Sequence, residues 1–550
     1  MKILRLLLTR LAVNPFVFFS IPLLLTLLQT HFVAKALRFG AGEIYPFLWL
    51  GGFMALAFNV SLIFTQSFYA CFTQGPILPE ADREGLGDIP VALVVCVKNE
   101  GEDTLDRIRY SLRGNLGTRV HFWLLSDSDA SFVEKEKQWV KRLQEEFGNS
   151  IYYHWRPEPY ERKQGNLAGW FENFGTGYRY FFVLDADSII PRGMVFTLLR
   201  KAEHPEAQDI GIFQSAVYIV HDHSLFARAN AIGQYYAQRL YFRVNQAVFG
   251  RSISFGHNCL IRSQAFCKIR LPSGILSHDN WDAAIADREG YRTVFVPDTL
   301  TFEEATQNYL EERARMKRWM KGSLQGWPIL FMSGISFATR WFIFYQIYLY
   351  LIHPILLLWI LLGLLCGSKW FGMPLFVGEP PGTVHPLVPV LVFTILVLYG
   401  HKFLLGRSLS DLKRIAFEVL VSTLVSLNNV FYTTLDFFSL PFEKLSWRPM
   451  TKDPNATISF VSCARELFWG TAFGFTVLLW GMFYSPFWIL TGLPLLMSLI
   501  LSIPAVYITS KNLVWDSEGR VKNKIQPEGA SPDGHYQGSF AGTKIQPRFI

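Results

Sequence analysis

The chain has 550 residues, half of them hydrophobic and 16% aromatic, with a formal charge of +8. That length exceeds one ordinary domain, and several charge-poor runs of about twenty apolar residues exclude a single soluble one. The basic excess gathers at the ends of those runs, so it reads as membrane topology and anionic-lipid contact, and no nucleic-acid partner is expected. The six cysteines form no CxxC pair, which argues against a disulfide framework and a zinc site alike.

In chain order, spans are expected near 15–34 and 46–70, within an N-terminal membrane region of 1–84 that holds two transmembrane helices. The first apolar run is long and lacks a small-residue cleavage site, so it reads as a span rather than a signal peptide. Lys2, Arg5 and Arg10 precede it, and positively charged flanks stay cytoplasmic. Lys35 and Arg38, in the first external loop, argue weakly the other way.

From 85 to 325 the pattern changes to short apolar runs separated by polar stretches. VALVVCV (91–97) is an almost continuous β-branched run, as a buried parallel strand is. HFWLLSD (121–127) and YFFVLDAD (180–187) repeat the pattern, and each ends in an acidic residue. A helical pattern, 132–147, falls between the second and third of these strands. Strand–helix repetition predicts an open, doubly wound α/β sheet. Ligands bind such sheets outside the carboxyl ends of the strands, which is where Asp127, Asp185 and Asp187 fall.

The region 326–510 opens with WPILFMSGISFATRWF, an amphipathic stretch expected in the membrane interface. About four spans follow, near 341–366, 386–405, 466–484 and 486–509. Glu418, Asn428, Asn429 and Asp436 interrupt 411–440, so that segment is read as interfacial helices; if it spanned, the loop 442–465 and the tail would lie outside. Lys402, Arg407, Lys413 and Arg414 follow the fourth span, and Lys511, Arg520, Lys522 and Lys524 follow the last. These clusters place both termini and the 85–325 unit in the cytoplasm. The tail 511–550 is polar and Gly/Pro/Ser-bearing from 516 onward, with a disordered composition.

Three segments carry the chemistry. Asp185-Ala-Asp187 puts two carboxylates at a strand end, where they can share one hard cation, Mg²⁺ or Mn²⁺, with a diphosphate; a solvated turn is the plain alternative. Ser277-His278-Asp279 opens a helix, so Asp279 is either near a helix N-terminus for capping or a general base for an acceptor hydroxyl. Arg315-Met-Lys-Arg318-Trp319 supplies bidentate cations for a diphosphate leaving group and a flat ring for a sugar; a basic juxtamembrane helix on anionic lipid is the alternative. Lys163-Gln-Gly-Asn166 offers a cation and backbone amides to phosphate, and Gly256-His257-Asn258 offers a pocket lining.

The order Asn99-Glu100, Asp127, KQGN, DAD, GHN, HD and RxxRW resembles the inverting family-2 glycosyltransferases of GT-A fold, whose membrane members include cellulose and hyaluronan synthases. The sequence is still more similar to the bacterial glucans biosynthesis glucosyltransferase H family. The similarity runs through LSDS (125–128), KQGN (163–166), VLDADS (183–188), FQS (213–215), GHNCLIR (256–262), GILSHDNWDAA (274–284), FEE (302–304) and RMKRW (315–319), and covers roughly residues 10–510. SHD stands in place of TED, so the role of the Glu in that motif does not transfer to His278. The family's long terminal extensions have no counterpart in these 550 residues.

The resemblance implies a GT-A catalytic domain inserted in a helical inner-membrane domain, with UDP-glucose as donor and Mg²⁺ or Mn²⁺ as cofactor. It implies Asp127 at the uracil or ribose, Asn99 and Glu100 nearby, Asp185 and Asp187 on metal and diphosphate, and Asp279 as base. Lys163, Arg315, Arg318 and Trp319 would bind donor phosphates and acceptor. The expected partners are a UDP-sugar, a growing osmoregulated, β-1,2-linked glucan, the lipid bilayer and a periplasmic glucan-processing protein. A different β-glucan product, a single-sugar lipid glycosyltransferase and a non-enzymatic transporter are the competing readings.

Overall fold

In the computed structural model the described residues are 14–36, 44–73, 77–82, 85–220, 223–371, 387–443, 458–484, 486–511, 539–540 and 543–544. The basic cluster at Lys2–Arg10, most of the loop 442–465 and nearly all of the tail lie outside them.

Two apolar helices come first, α1 (Pro15–Ala36) and α2 (Tyr45–Phe72). The sheet begins at β1 (Val91–Val97), in which Val91 to Val94 are fully buried. It continues through α3 (Asp103–Leu112), β2 (Val120–Ser126), α4 (Ala130–Phe147), β3 (Ile151–Trp155), α5 (Arg162–Asn173), β4 (Tyr180–Asp185) and α6 (Met194–Ala202). Then come β5 (Ile210–Val220), α7 (Leu225–Ala237), α8 (Arg243–Phe249), β6 (Cys259–Arg262), α9 (Asp279–Arg288) and β7 (Arg292–Glu304). The strand order is β3-β2-β1-β4-β6-β5-β7.

The three strands read from the sequence are neighbours, all parallel, with Cys96 of β1 opposite both Leu125 of β2 and Asp185 of β4. Their carboxyl ends therefore lie along one edge, and the order reverses at β1, where such sheets bind ligands. The departure from an all-parallel sheet is β6, which pairs antiparallel with β4 and β5. It is only four residues long, and its CLIR run reads equally well in either direction. The expected GT-A-type α/β sheet is what the chain forms, with β6 making it mixed. Helices cover both faces: Trp139, Val140 and Leu143 of α4 pack on one, and Trp170 and Phe171 of α5 on the other.

After the sheet, α10 (Tyr309–Leu324) starts at Asn308, whose side chain accepts from the Glu311 N–H as an N-cap. Next are α11 (Phe337–Phe371), α12 (Leu387–Gly400), α13 (Leu409–Val425), α14 (Asn429–Ser439), α15 (Phe460–Tyr484), α16 (Pro486–Ile500) and α17 (Ser502–Thr509). Among the described residues six helices are long and apolar enough to cross a membrane, or seven if one bent pair counts as a span. That pair is α16 and α17, bent by 71°, so the expected 486–509 span is broken at Leu501. The segment Leu409–Phe442 is one of the six, on length and composition. It is interrupted at 426–428 by a single 3₁₀ turn, and α13 lies against the sheet unit: the Glu418 carboxylate is 3.4 Å from where a Cβ on Gly233 of α7 would be. Lys402 meets Glu418 at 2.7 Å.

Candidate active site

The carboxyl edge of the sheet is strained as well as polar. Among the described residues, four other than glycine have positive φ: Asn99 after β1, Glu161 and Arg162 at the start of α5, and Asn258 before β6. Residues in this region cost free energy that persists only where the surroundings impose it, and such positions gather at functional sites.

On the β1–β2 side, Asp127 is almost completely buried and its backbone N–H donates to Val97 O, which stitches the two strand ends together. Its carboxylate receives two hydrogen bonds from Arg156, Nε and Nη2, both at 2.8 Å. Tyr160 lays its ring 4.7 Å from the guanidinium, and Arg156 Nη1 is buried with no hydrogen-bond partner. Asn99 bridges the same edge, donating to Asp129 and accepting from its backbone N–H, both at 2.9 Å. Glu100 is buried, and its carbonyl accepts from Lys135.

On the β4 side, Lys163 of α5 donates to Asp185 and to Gly256 O. His257 Nδ1 lies 3.7 Å from the other oxygen of Asp185, and its Nε2 meets Glu303 at 2.9 Å. Loss of water would raise the Asp185 pKa, but Lys163 and His257 outweigh it and hold the carboxyl below its ordinary value. For His257, burial pulls the pKa down, while Asp185 and Glu303 outweigh it and push it up to about 9. Asp187 is half-buried one residue beyond Ala186. Its charge is felt by Arg315, as is that of Glu303.

These residues fit a divalent cation as an open site. Asp185 and Asp187 offer hard oxygen donors at a strand end, and among the described residues no group of three His, Cys, Asp or Glu closes a cage. Such a pair suits an ion that takes its remaining ligands from a diphosphate and water.

The third wall is the start of α9 with α10. Gly322 of α10 sits so close to Ser277 that a Cβ there would come within 2.3 Å of the serine Cβ. The RMKRW helix is thus seated directly on the SHD segment, and Leu276 N–H donating to Gln325 at 2.8 Å fixes its end. A Cβ on Gly256 (φ +73°) would meet His278 at 3.1 Å and Asp279 at 3.2 Å, so the GHN loop packs against both. Asp279 accepts from Ser277 Oγ, and His278 Nδ1 meets Asp282 at 2.6 Å. Arg315 pairs with Glu312 at 2.9 Å and lies 4.5 Å from the Trp319 ring, which is 47% exposed. Arg318 forms no ion pair within 4 Å among the described residues; burial first, and Arg315 beside it, lower its pKa.

The structure therefore gathers Lys163, Asp185, His257 and Glu303 into one cluster, flanked by Asp279 and Arg315. Asp127, Asn99 and Glu100 form a second group across β1. Sequence reasoning did not single out four members of this site: Arg156, Glu303, Asp282 and Glu312. Arg156 carried a signal in its place just beyond β3, at a strand's carboxyl end. The FEE run that contains Glu303 served only as a point of resemblance. Buried carboxylates on helices, as at Asp282 and Glu312, have no local signature.

Residues 180–400 match the family model described as glycosyl transferase family group 2. The glucans biosynthesis glucosyltransferase H of Rhodopseudomonas palustris (strain TIE-1) is 26% identical over 541 residues, 87% of this chain and 74% of that protein. The protein of the same name from Vibrio cholerae is 28% identical over 339 residues, 56% of this chain and 46% of the relative. Among solved structures, a mannosyltransferase from Pyrobaculum calidifontis in complex with GDP-Man and Mn²⁺ aligns over 73% of this chain and 99% of that one, at 12% identity and a TM-score of 0.47. With its mixed sheet and its strand-end carboxylates, the chain is a glycosyltransferase that carries a family group 2 region and is related over most of its length to the glucans biosynthesis glucosyltransferase H proteins.

Proposed function

We propose that the chain is an inverting glucosyltransferase of the bacterial inner membrane. It polymerises glucose from UDP-glucose into an osmoregulated, β-1,2-linked periplasmic glucan and passes the product through its own helices. In this reading residues 85–325 are the cytoplasmic catalytic domain, 1–84 and 326–510 are the membrane regions, and both termini are cytoplasmic. The observation that carries it is the convergence at one sheet edge of Asp185 and Asp187, the α10 arginines and Asp279. The relatives named for glucan biosynthesis support the sugar and the product.

Each residue has a task. Asp127, oriented by Arg156, reads the uracil or ribose, with Asn99 and Glu100 shaping that side. Asp185 and Asp187 would hold Mg²⁺ or Mn²⁺, which neutralises charge on the diphosphate. Lys163, Arg315 and Arg318 stabilise the departing UDP, and Trp319 offers its exposed face to the acceptor sugar. Asp279 takes the acceptor hydroxyl's proton as C1 is attacked on the face opposite the leaving group.

The test is incorporation of radiolabelled glucose from UDP-glucose by the purified chain with Mg²⁺, followed by digestion with linkage-specific glucanases. A labelled polymer cut only by a β-1,2-glucanase is the expected result. Polymer resistant to that enzyme overturns the linkage, and label recovered on a lipid favours the single-sugar transferase.

A further inference from the structure

His278 and Asp282 form a pair that the assignment above leaves unused. His278 stands just before α9, and its carbonyl accepts the Asp282 N–H at 2.7 Å, so the two residues share the first helical turn. The Asp282 side chain reaches back to His278 Nδ1 at 2.6 Å. Asp282 is 3% exposed, and its other oxygen, Oδ1, is buried with no hydrogen-bond partner. A buried carboxylate bonded in this way is costly to keep, since replacing such a pair by apolar residues of similar volume is often neutral or stabilising. Its one hydrogen bond is aimed at the imidazole.

That bond fixes the chemistry of the ring. In the neutral ring, Nδ1–H donating to the carboxylate leaves Nε2 as a bare acceptor. Nε2 has no hydrogen-bond partner among the described residues. The Cε1–Nε2 edge lies against Gly256, at 3.1 and 3.3 Å from the position of a Cβ there, and the Cβ of Asp279 meets the same point at 3.2 Å. Gly256 O in turn accepts from Lys163, the residue bound to Asp185. The imidazole edge and the side-chain stem of Asp279, whose carboxylate accepts from Ser277 Oγ, thus meet over one glycine, beside the residues that hold Asp185.

Two adjacent acceptors match two adjacent hydroxyls, as on a pyranose. We propose that His278, positioned by Asp282, reads the acceptor sugar by accepting a hydrogen bond from the hydroxyl next to the attacking one, and so selects which hydroxyl faces Asp279. In the step itself the C1–oxygen bond to the diphosphate breaks with its electrons going to UDP. The acceptor oxygen bonds to C1, its proton passes to Asp279, and His278 ends as it began. This assignment rests on the glucosyltransferase reading above and adds the residue that sets acceptor choice and linkage.

The experiment compares three quantities on the full chain in detergent: UDP affinity, hydrolysis of UDP-glucose to free glucose, and transfer to glucan. His278→Ala should keep UDP affinity within a few-fold, and should lower glucan transfer about ten- to a hundredfold more than hydrolysis, the scale of one lost hydrogen bond to a polar partner. His278→Gln, whose amide still accepts, should recover part of that loss. Asp282→Asn should reproduce the His278→Ala selectivity by freeing the tautomer, and should add little in the His278→Ala background, as two residues acting as one unit do. Equal loss of hydrolysis and transfer in both His278 variants, or a full additional loss from Asp282→Asn without the imidazole, overturns the proposal. A wild-type chain that turns over no UDP-glucose at all overturns the underlying glucosyltransferase reading instead.

Discussion

Arg156 grips Asp127 through two parallel hydrogen bonds of 2.8 Å, with both side chains more than nine-tenths buried. The aspartate expected to face the nucleoside is therefore half of a desolvated ion pair, and its geometry depends on a residue beyond β3. Removing one partner of such a pair leaves an uncompensated buried charge, which costs about 3–5 kcal/mol. Arg156→Ala should lower the thermal stability of the detergent-solubilised chain accordingly and weaken UDP binding. Arg156→Lys should restore charge without the two-pronged fit. Unchanged melting and UDP affinity in Arg156→Ala would show the pair to be dispensable.

The strand-end carboxylates give a second prediction. Asp187→Ala should abolish turnover, and a chelator should do the same to the wild type. Asp187 is half-buried at a turn, so the substitution should leave the fold close to intact, within the roughly ±0.5 kcal/mol usual away from packed cores. Isothermal titration of Mn²⁺ in the presence of UDP checks the binding separately from turnover. Full activity in EDTA would remove the metal from the account.

His257 predicts a dependence on pH. Its pKa rises from about 6.5 in the unfolded chain to about 9, because Asp185 and Glu303 outweigh the effect of burial. A histidine shifted upward on folding contributes stability that is fully present below about pH 6.5 and lost as pH rises through about 9. The melting temperature should therefore fall across that window, and His257→Gln should flatten the fall. A His257→Gln profile parallel to wild type would show that the imidazole is not charged where it stands.

Much of this was legible in the sequence because it was local. β1, β2 and β4 are continuous apolar runs that end in polar residues, and their parallel register follows from that pattern together with the intervening helices. Asp127, Asp185 and Asp187 therefore fall at a common edge on the sequence pattern alone. Arg156 and Glu303 do not, because each acts through a partner that folding brings near: Arg156 to Asp127 is 29 residues apart, and His257 to Glu303 is 46. Asp282 reaches His278 within one helical turn, but a buried carboxylate on a helix has no local signature. The segment 411–440 was ambiguous for a different reason. Glu418 looks like an interruption in a span until Lys402 is seen to neutralise it at 2.7 Å.

Topology makes a fourth prediction. In the proposed topology the positive flanks keep both the sheet unit and the tail in the cytoplasm. Single cysteines at Gly85 and Ser517 should both resist an impermeant thiol reagent in intact cells and react after permeabilisation. Labelling at Ser517 in intact cells would mean that Leu409–Phe442 crosses the membrane and carries the following loop outside.

The central claim is that Asp279 deprotonates the acceptor in a transfer from UDP-glucose. Capping of α9 is the alternative for that side chain, yet the structure records no side-chain cap there, and Asp279 instead accepts from Ser277 Oγ beside the GHN loop. The decisive measurement is UDP affinity and labelled-glucan synthesis on the same preparations of wild type and Asp279→Asn. UDP affinity within a few-fold of wild type, with synthesis lower by about 10² or more, is the predicted result. Near-normal synthesis by Asp279→Asn would contradict it and send the search for the base elsewhere.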